Sequence, residues 1–303
     1  MPAASSELIR CSLKGKFKND FHLKKDKQYH TGIVVVGDIV DIDLNKDGTG
    51  VITKIYPRKN YLSRKSPKIK GASYRGERLE QIVGSNIDQL FIVTSITQPE
   101  FNNKVVDRFI VASESSSIKC NIIINKIDLD TKEASLKWES LYGNLGYSVF
   151  LTSVSLKQGL ELLHQSLIGK ISLFWGHSGV GKSSVLNSLY PSIKLKIGSI
   201  SSSNEKGTHT TVTNFLVKVE EDTYIIDTPG IREIDPFGIK KQDVGHYFSE
   251  FREFIPNCRF STCTHNHEPG CAVIAAVQDE KISEIRFDSY LRILETIEED
   301  IIF

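Results

Sequence analysis

The chain has 303 residues, 40% of them hydrophobic, enough to fill the cores of two or three domains. It holds no run of 18 apolar residues, and its start, MPAASSELIR, lacks the apolar stretch of a signal peptide. The expectation is a soluble, cytoplasmic protein with no membrane segment. The net charge of +1 conceals an asymmetry: residues 1–70 carry 15 Lys or Arg against 7 Asp or Glu, whereas the rest carry 23 against 30. A basic first quarter points to an anionic partner, nucleic acid foremost.

In chain order, residues 1–70 read as a small all-β domain. RCSLKGKF, HTGIVVVGDIVDIDL and GTGVITKIYPR are β-branched runs separated by Gly, Asp and Asn turn signals. Five short strands in about 60 residues would suit a barrel of OB type. NYLSRKSPKIKGASYRGE follows and reads as a linker, without apolar periodicity. Residues 71–234 then alternate strands with helical stretches, the pattern of a parallel sheet flanked by helices. The expected strands are QLFIVTSI, CNIIINKI, SVFLTSV, ISLFWG and TYIIDTPG. KVVDRFIVASES, KQGLELLHQSLIG and KSSVLNSLY are the expected helices. The last segment, 235–303, holds a Cys/His cluster and ends in a helix with Phe287, Tyr290, Leu291, Leu294 and Ile297 on one face.

ISLFWGHSGVGKSSVLNSL sets a strand, Gly-x-x-x-x-Gly-Lys-Ser and a helix in the order that phosphate binding requires. Across Gly176, His177, Ser178, Gly179, Val180 and Gly181 the backbone can bend until its N–H groups face phosphate oxygens. Lys182 is placed for the β- and γ-phosphates, Ser183 for Mg²⁺, and Ser184 continues the helix whose dipole favours the anion. TYIIDTPG adds the γ-phosphate side: Asp227 for a water of the Mg²⁺ shell and the Gly230 N–H for the phosphate.

NIIINKIDLD supplies a base-selecting set. The Asp128 carboxylate can accept from guanine N1–H and N2–H₂, a pair adenine does not offer, and a wrong base would leave that acceptor unpaired. Asn125 can bond the base and tie loops together, and the Lys126 stem can lie over the ring. The Ser153 and Val154 backbone N–H groups are expected to address guanine O6. Asn125 precedes Gly176 by 51 positions, the reverse of the usual GTPase order. Ligands in open α/β sheets bind at the carboxyl ends of strands wherever those strands fall in sequence, so a circularly permuted chain can assemble the same pocket.

NCRFSTCTHNHEPGCAV spaces Cys258, Cys263, His265 and Cys271 as Cys-x₄-Cys-x-His-x₅-Cys. Three thiolates and an imidazole form a closed tetrahedral set for one structural Zn²⁺, with His267 as an alternative fourth ligand.

Taken together, the basic start, NKID, GHSGVGKSS, DTPG and the Cys/His close resemble the bacterial small-subunit-dependent GTPases of RsgA or YjeQ type over essentially the whole chain. The resemblance implies an N-terminal OB-like barrel, a central permuted GTPase domain and a mostly helical zinc-binding C-terminal domain. It also implies a monomeric late factor of small-subunit assembly that binds rRNA, hydrolyses GTP to GDP and is stimulated by the small ribosomal subunit. Ile231 stands where many GTPases carry a water-orienting Gln, and an aliphatic side chain positions no water. KGTHTT at 206–211 looks like the family's first switch, with His209 matching its histidine and Thr208 standing where Arg is usual. His209 is therefore the candidate catalytic residue.

Overall fold

The computed structural model describes residues 8–15, 17, 33–65, 80–191, 214–228 and 234–297. His209, the 206–211 switch, Gly230 and Ile231 lie outside these residues.

Three strands of the basic first segment form one sheet in the order β1–β3–β2: β1 (Cys11–Leu13), β2 (Val40–Leu44) and β3 (Gly50–Ile55). The described residues therefore give a three-stranded sheet where five strands closing into a barrel were expected. The run IVVVGD is mostly turn: Asp38 accepts the Val35 N–H at 2.9 Å and holds Arg58 at 2.7 Å, which folds it back before β2 begins.

The linker reading is also corrected. Tyr61–Lys65 is a strand, β4, paired antiparallel with β5 (Glu80–Ser85). Leu62 is fully buried, and the Lys65 N–H donates to the Asp235 carbonyl at 2.8 Å. Tertiary contact, rather than local periodicity, makes this segment a strand.

The centre is a six-stranded sheet in the order β10–β11–β9–β6–β7–β8. It comprises β6 (Gln89–Ser95), β7 (Lys119–Asn125), β8 (Ser148–Thr152), β9 (Ile171–Gly176), β10 (Phe215–Glu220) and β11 (Thr223–Asp227). All neighbours pair parallel except β10 on β11, at one edge. Phe91, Ile92, Ile122, Ile123 and Ile124 are fully shielded, which is why these strands read as unbroken apolar runs: helices cover both faces. Each such side chain contributes about 1.5–3 kcal/mol of burial free energy.

Helices α1 (Asn103–Ser115), α2 (Ala134–Asn144), α3 (Leu160–Leu167) and α4 (Lys182–Leu189) flank the sheet. Asn102 caps α1 by accepting the Val105 N–H at 3.3 Å. Asp130 does the same service for α2, taking the Ala134 and Ser135 N–H groups at 3.1 and 2.7 Å.

Residues 234–297 contain 3₁₀ turns and two α-helices, α5 (Ala272–Gln278) and α6 (Glu284–Thr296), with no strand among the described residues. Their core gathers Phe248, Phe251, Tyr290, Ile293 and Leu294, and takes in Val111 from α1. The apolar face expected of the last helix is there: Tyr290, Leu294 and Ile297 are buried, while Phe287 and Leu291 pack at its margin. No helix among the described residues is long and apolar enough to cross a membrane.

Candidate active site and metal centre

The sheet order sets β6 between β7 and β9, so the ends of β7 and β9, two strands apart, deliver two sequence-distant loops to one place. The Asn125 side chain closes β7 and donates to the Val180 carbonyl at 3.0 Å, while its own oxygen accepts the Thr152 hydroxyl at 3.1 Å. Lys126, in the left-handed region at φ 63°, sends its ammonium to the Gly179 carbonyl at 2.6 Å and to the Gln98 carbonyl. Both residues thus grip the phosphate loop. Gly181 makes the approach possible: at φ 93°, a Cβ there would stand 2.3 Å from the Asn125 amide nitrogen.

The loop itself runs from the end of β9 into α4, with His177 half-buried against Trp175 and Ser178 and Gly179 exposed. Ser183 and Ser184 lie exposed in the first turn of α4, behind Lys182. The Lys182 ammonium pairs with Asp227 at the end of β11, and Thr228 donates its hydroxyl to the Phe174 carbonyl at 3.1 Å. The lysine expected at the phosphates and the carboxylate expected near Mg²⁺ are therefore adjacent, and Ser183 with Asp227 would hold the ion, which would supply charge neutralisation. Beside the loop lies a cavity of about 520 Å³, lined by Val105, Val106, Asn102, Trp175 and His177 among others.

Asp128 is exposed, in the 3₁₀ turn after β7. One carboxylate oxygen takes the Ser153 hydroxyl at 2.6 Å and the other the Ser155 hydroxyl at 2.8 Å. Those two bonds hold its carboxyl below the usual range, so it is ionised at neutral pH. The Ser153 N–H does not point free, because it donates to the Gln158 carbonyl at 3.1 Å; of the expected pair of O6 donors, only the Val154 N–H is left. Sequence reasoning passed over Ser155 and Thr152. Thr152 merely ends β8 and Ser155 merely follows it, which is no signal.

Cys258, Cys263, His265 and Cys271 bring their donor atoms within 4.8 Å of one another. His265 Nδ1 stands 3.3 Å from Cys271 Sγ and 3.6 Å from Cys258 Sγ. His267 is exposed and outside the cluster, so the imidazole of the set is His265. Burial pushes the Cys263 thiol up to about 12 and also lowers His265. Thiolates are costly here without a cation, and three thiolates with a neutral imidazole suit Zn²⁺ as a closed structural centre. Gly245 lets the backbone press on the imidazole, since a Cβ there would sit 2.8 Å from His265 Cδ2.

The family profile described as RsgA GTPase matches residues 55–237. The chain belongs to the RsgA GTPase family. Its relatives include small ribosomal subunit biogenesis GTPase RsgA 2 of Bacteroides thetaiotaomicron, 38% identical over 97% of this chain and 91% of that protein. The RsgA of Chlorobaculum parvum is 38% identical over 89% of this chain and 87% of its own. Among solved structures, YjeQ from Thermotoga maritima superposes with a TM-score of 0.72 at 31% identity, covering 95% of this chain and 90% of that one. YloQ, described as a circularly permuted GTPase, gives 0.67 at 30% identity over 97% and 88%. This family member is a GTP-hydrolysing enzyme.

Proposed function

We propose that this GTPase is a factor of small ribosomal subunit maturation, binding rRNA and using GTP cleavage to leave the subunit. The observation that carries the reading is the contact of Lys126 and Asn125 with the phosphate-loop carbonyls of Gly179 and Val180. One nucleotide lying across that junction meets a guanine acceptor at Asp128 and a phosphate cradle at Gly176–Ser184. The names of the relatives support the subunit as partner, and the net basic charge of residues 1–70 supports phosphate-rich RNA as what that region touches.

In this reading Asn125, Lys126, Asp128, Ser153 and Val154 form the base side of the pocket. Gly176, His177, Ser178, Gly179, Val180, Gly181, Lys182, Ser183 and Ser184 form the phosphate side, with Asp227 and Gly230. Mg²⁺, held through Ser183 with Asp227 nearby, supplies charge neutralisation when bound with GTP. His209 orients the attacking water; His209→Ala lowers subunit-stimulated turnover by ~10²–10⁴ while GTP affinity stays nearly intact. Residues 1–70, 71–234 and 235–303 act as the RNA-binding, GTPase and zinc-binding parts of a cytoplasmic monomer, the first taking the role of an OB-like module.

GTP turnover measured with and without purified small subunits tests this function. Stimulation by the subunit is expected, and a rate indifferent to it removes the ribosomal assignment.

A further inference from the structure

Asp128 has an unusually complete setting. An ionised carboxylate offers about four lone-pair positions, and bidentate recognition of guanine uses two of them. Ser153 and Ser155 occupy one on each oxygen, at 2.6 and 2.8 Å, and leave two for N1–H and N2–H₂. The two hydroxyls differ in support. Ser153 is fully buried, bridged backbone-to-backbone with Gln158, and its oxygen accepts the Leu156 N–H at 3.1 Å. Ser155 is exposed on the loop beyond, and its oxygen lies 2.9 Å from that of Ser153.

Each hydroxyl has a single proton. Ser155 therefore has two acceptors to choose from, the ionised carboxylate and the Ser153 oxygen. A charge-assisted bond is roughly twice as strong as a neutral one, so the carboxylate wins. Turning the carboxylate about its Cβ–Cγ bond moves both oxygens, so one hydroxyl opposes the turn with one bond, whereas one on each oxygen opposes it with two.

We infer that Ser155 is a specificity-determining positioning residue for the purine: with Ser153 it fixes the Asp128 carboxylate at both oxygens, in the plane that meets N1–H and N2–H₂ together. This rests on the base pocket proposed above. A ligand making both bonds needs the plane held, whereas one making a single bond tolerates its rotation. Inosine, which lacks the exocyclic amine, is such a ligand.

The test compares dissociation constants of GDP and inosine diphosphate for the full-length protein, Ser155→Ala and Ser155→Thr, with Asp128→Asn as the control on the pocket. Ser155→Ala is expected to weaken GDP by about three- to tenfold, the worth of one such bond, and inosine diphosphate by less than about twofold. Ser155→Thr, which keeps the hydroxyl, restores the ratio. If Asp128→Asn shifts preference toward xanthosine diphosphate, yet Ser155→Ala leaves both nucleotides unchanged or weakens them equally, Ser155 has no such role. If Asp128→Asn shifts nothing, the base pocket itself is misplaced and the role of Ser155 falls with it.

Discussion

Arg286, on α6, reaches into the middle of α1 and meets Asp107, both side chains sealed from solvent. Its guanidinium also holds Glu250 at 2.7 Å and lies 4.6 Å from the centre of the Phe248 ring, while Tyr142 donates to Asp107 at 2.7 Å. Four elements meet at this one cation. Helix α1 also lines the cavity beside the phosphate loop through Val105 and Val106. The same rod thus touches the nucleotide side and the C-terminal segment, giving a short packed route between them.

Removing the cation leaves two carboxylates buried without compensation. Arg286→Met is expected to cost about 3–5 kcal/mol in urea denaturation. Adding Asp107→Asn to that variant should recover part of the loss, because an uncharged pair needs no partner. A double variant whose loss equals the sum of the two single losses would show that the residues do not interact.

Nothing in the sequence announces this cluster. A single Asp in KVVDRF and a single Arg in SEIRFD form no pattern, and only the crossing of α1 and α6 buries them. The sheet was far more legible: ISLFWG is β9 from end to end, since a strand covered on both faces must be apolar throughout. Helix α2 went unread because it buries only Ser135 and Tyr142, too few to impose a 3.6-residue period. Strand β5 went unread because Glu80 and Ser85 look exposed, yet both are buried against β4 and the loop before β2. The meeting of Asn125 and Lys126 with the Gly176–Ser183 loop, and the Cys/His cluster, could be read because the chemistry proposed for them fixes residue type as well as spacing. Ser155 could not be, since a hydroxyl near a loop end is common.

The guanine selection proposed for Asp128 predicts a change of base. Asp128→Asn turns an acceptor into a mixed donor and acceptor, which suits xanthine, whose N2 amine is replaced by a carbonyl. GTP affinity should fall by roughly two orders of magnitude, in line with the loss of a polar partner, while XTP gains. Competition binding with a fluorescent nucleotide measures both. Indifference to the substitution would place the purine elsewhere.

The metal centre predicts one zinc per chain by emission spectroscopy, and Cys263→Ala should lower that content. His265 packs edge-on to Phe251 at 6.1 Å and tilted to Tyr290 at 6.2 Å, so losing the ion should disturb the aromatic core of the C-terminal segment. Near-ultraviolet circular dichroism should weaken on chelation. An unchanged aromatic signal after complete removal of zinc would mean that this small core stands without its staple.

Glu268 supports the turn that carries the ligands. Its carboxylate accepts the Thr264 N–H at 2.7 Å, the Thr264 hydroxyl at 2.5 Å and the Asn266 N–H at 2.9 Å. Burial pushes its pKa up, but these bonds outweigh it and hold the group at about 2 against an ordinary 4.5. A carboxyl depressed by folding stabilises the protein above its unfolded value, and that contribution drains as pH falls through 4.5 toward 2. Partial exposure screens the interaction, so Glu268→Gln should cost about 1 kcal/mol at neutral pH. Acid also protonates the thiolates, in the wild type and the variant alike. The informative quantity is therefore the stability difference between the two, followed by urea denaturation from neutral pH to about 3. It should shrink with acidity, and a difference that stays constant would assign the effect of Glu268 to packing rather than charge.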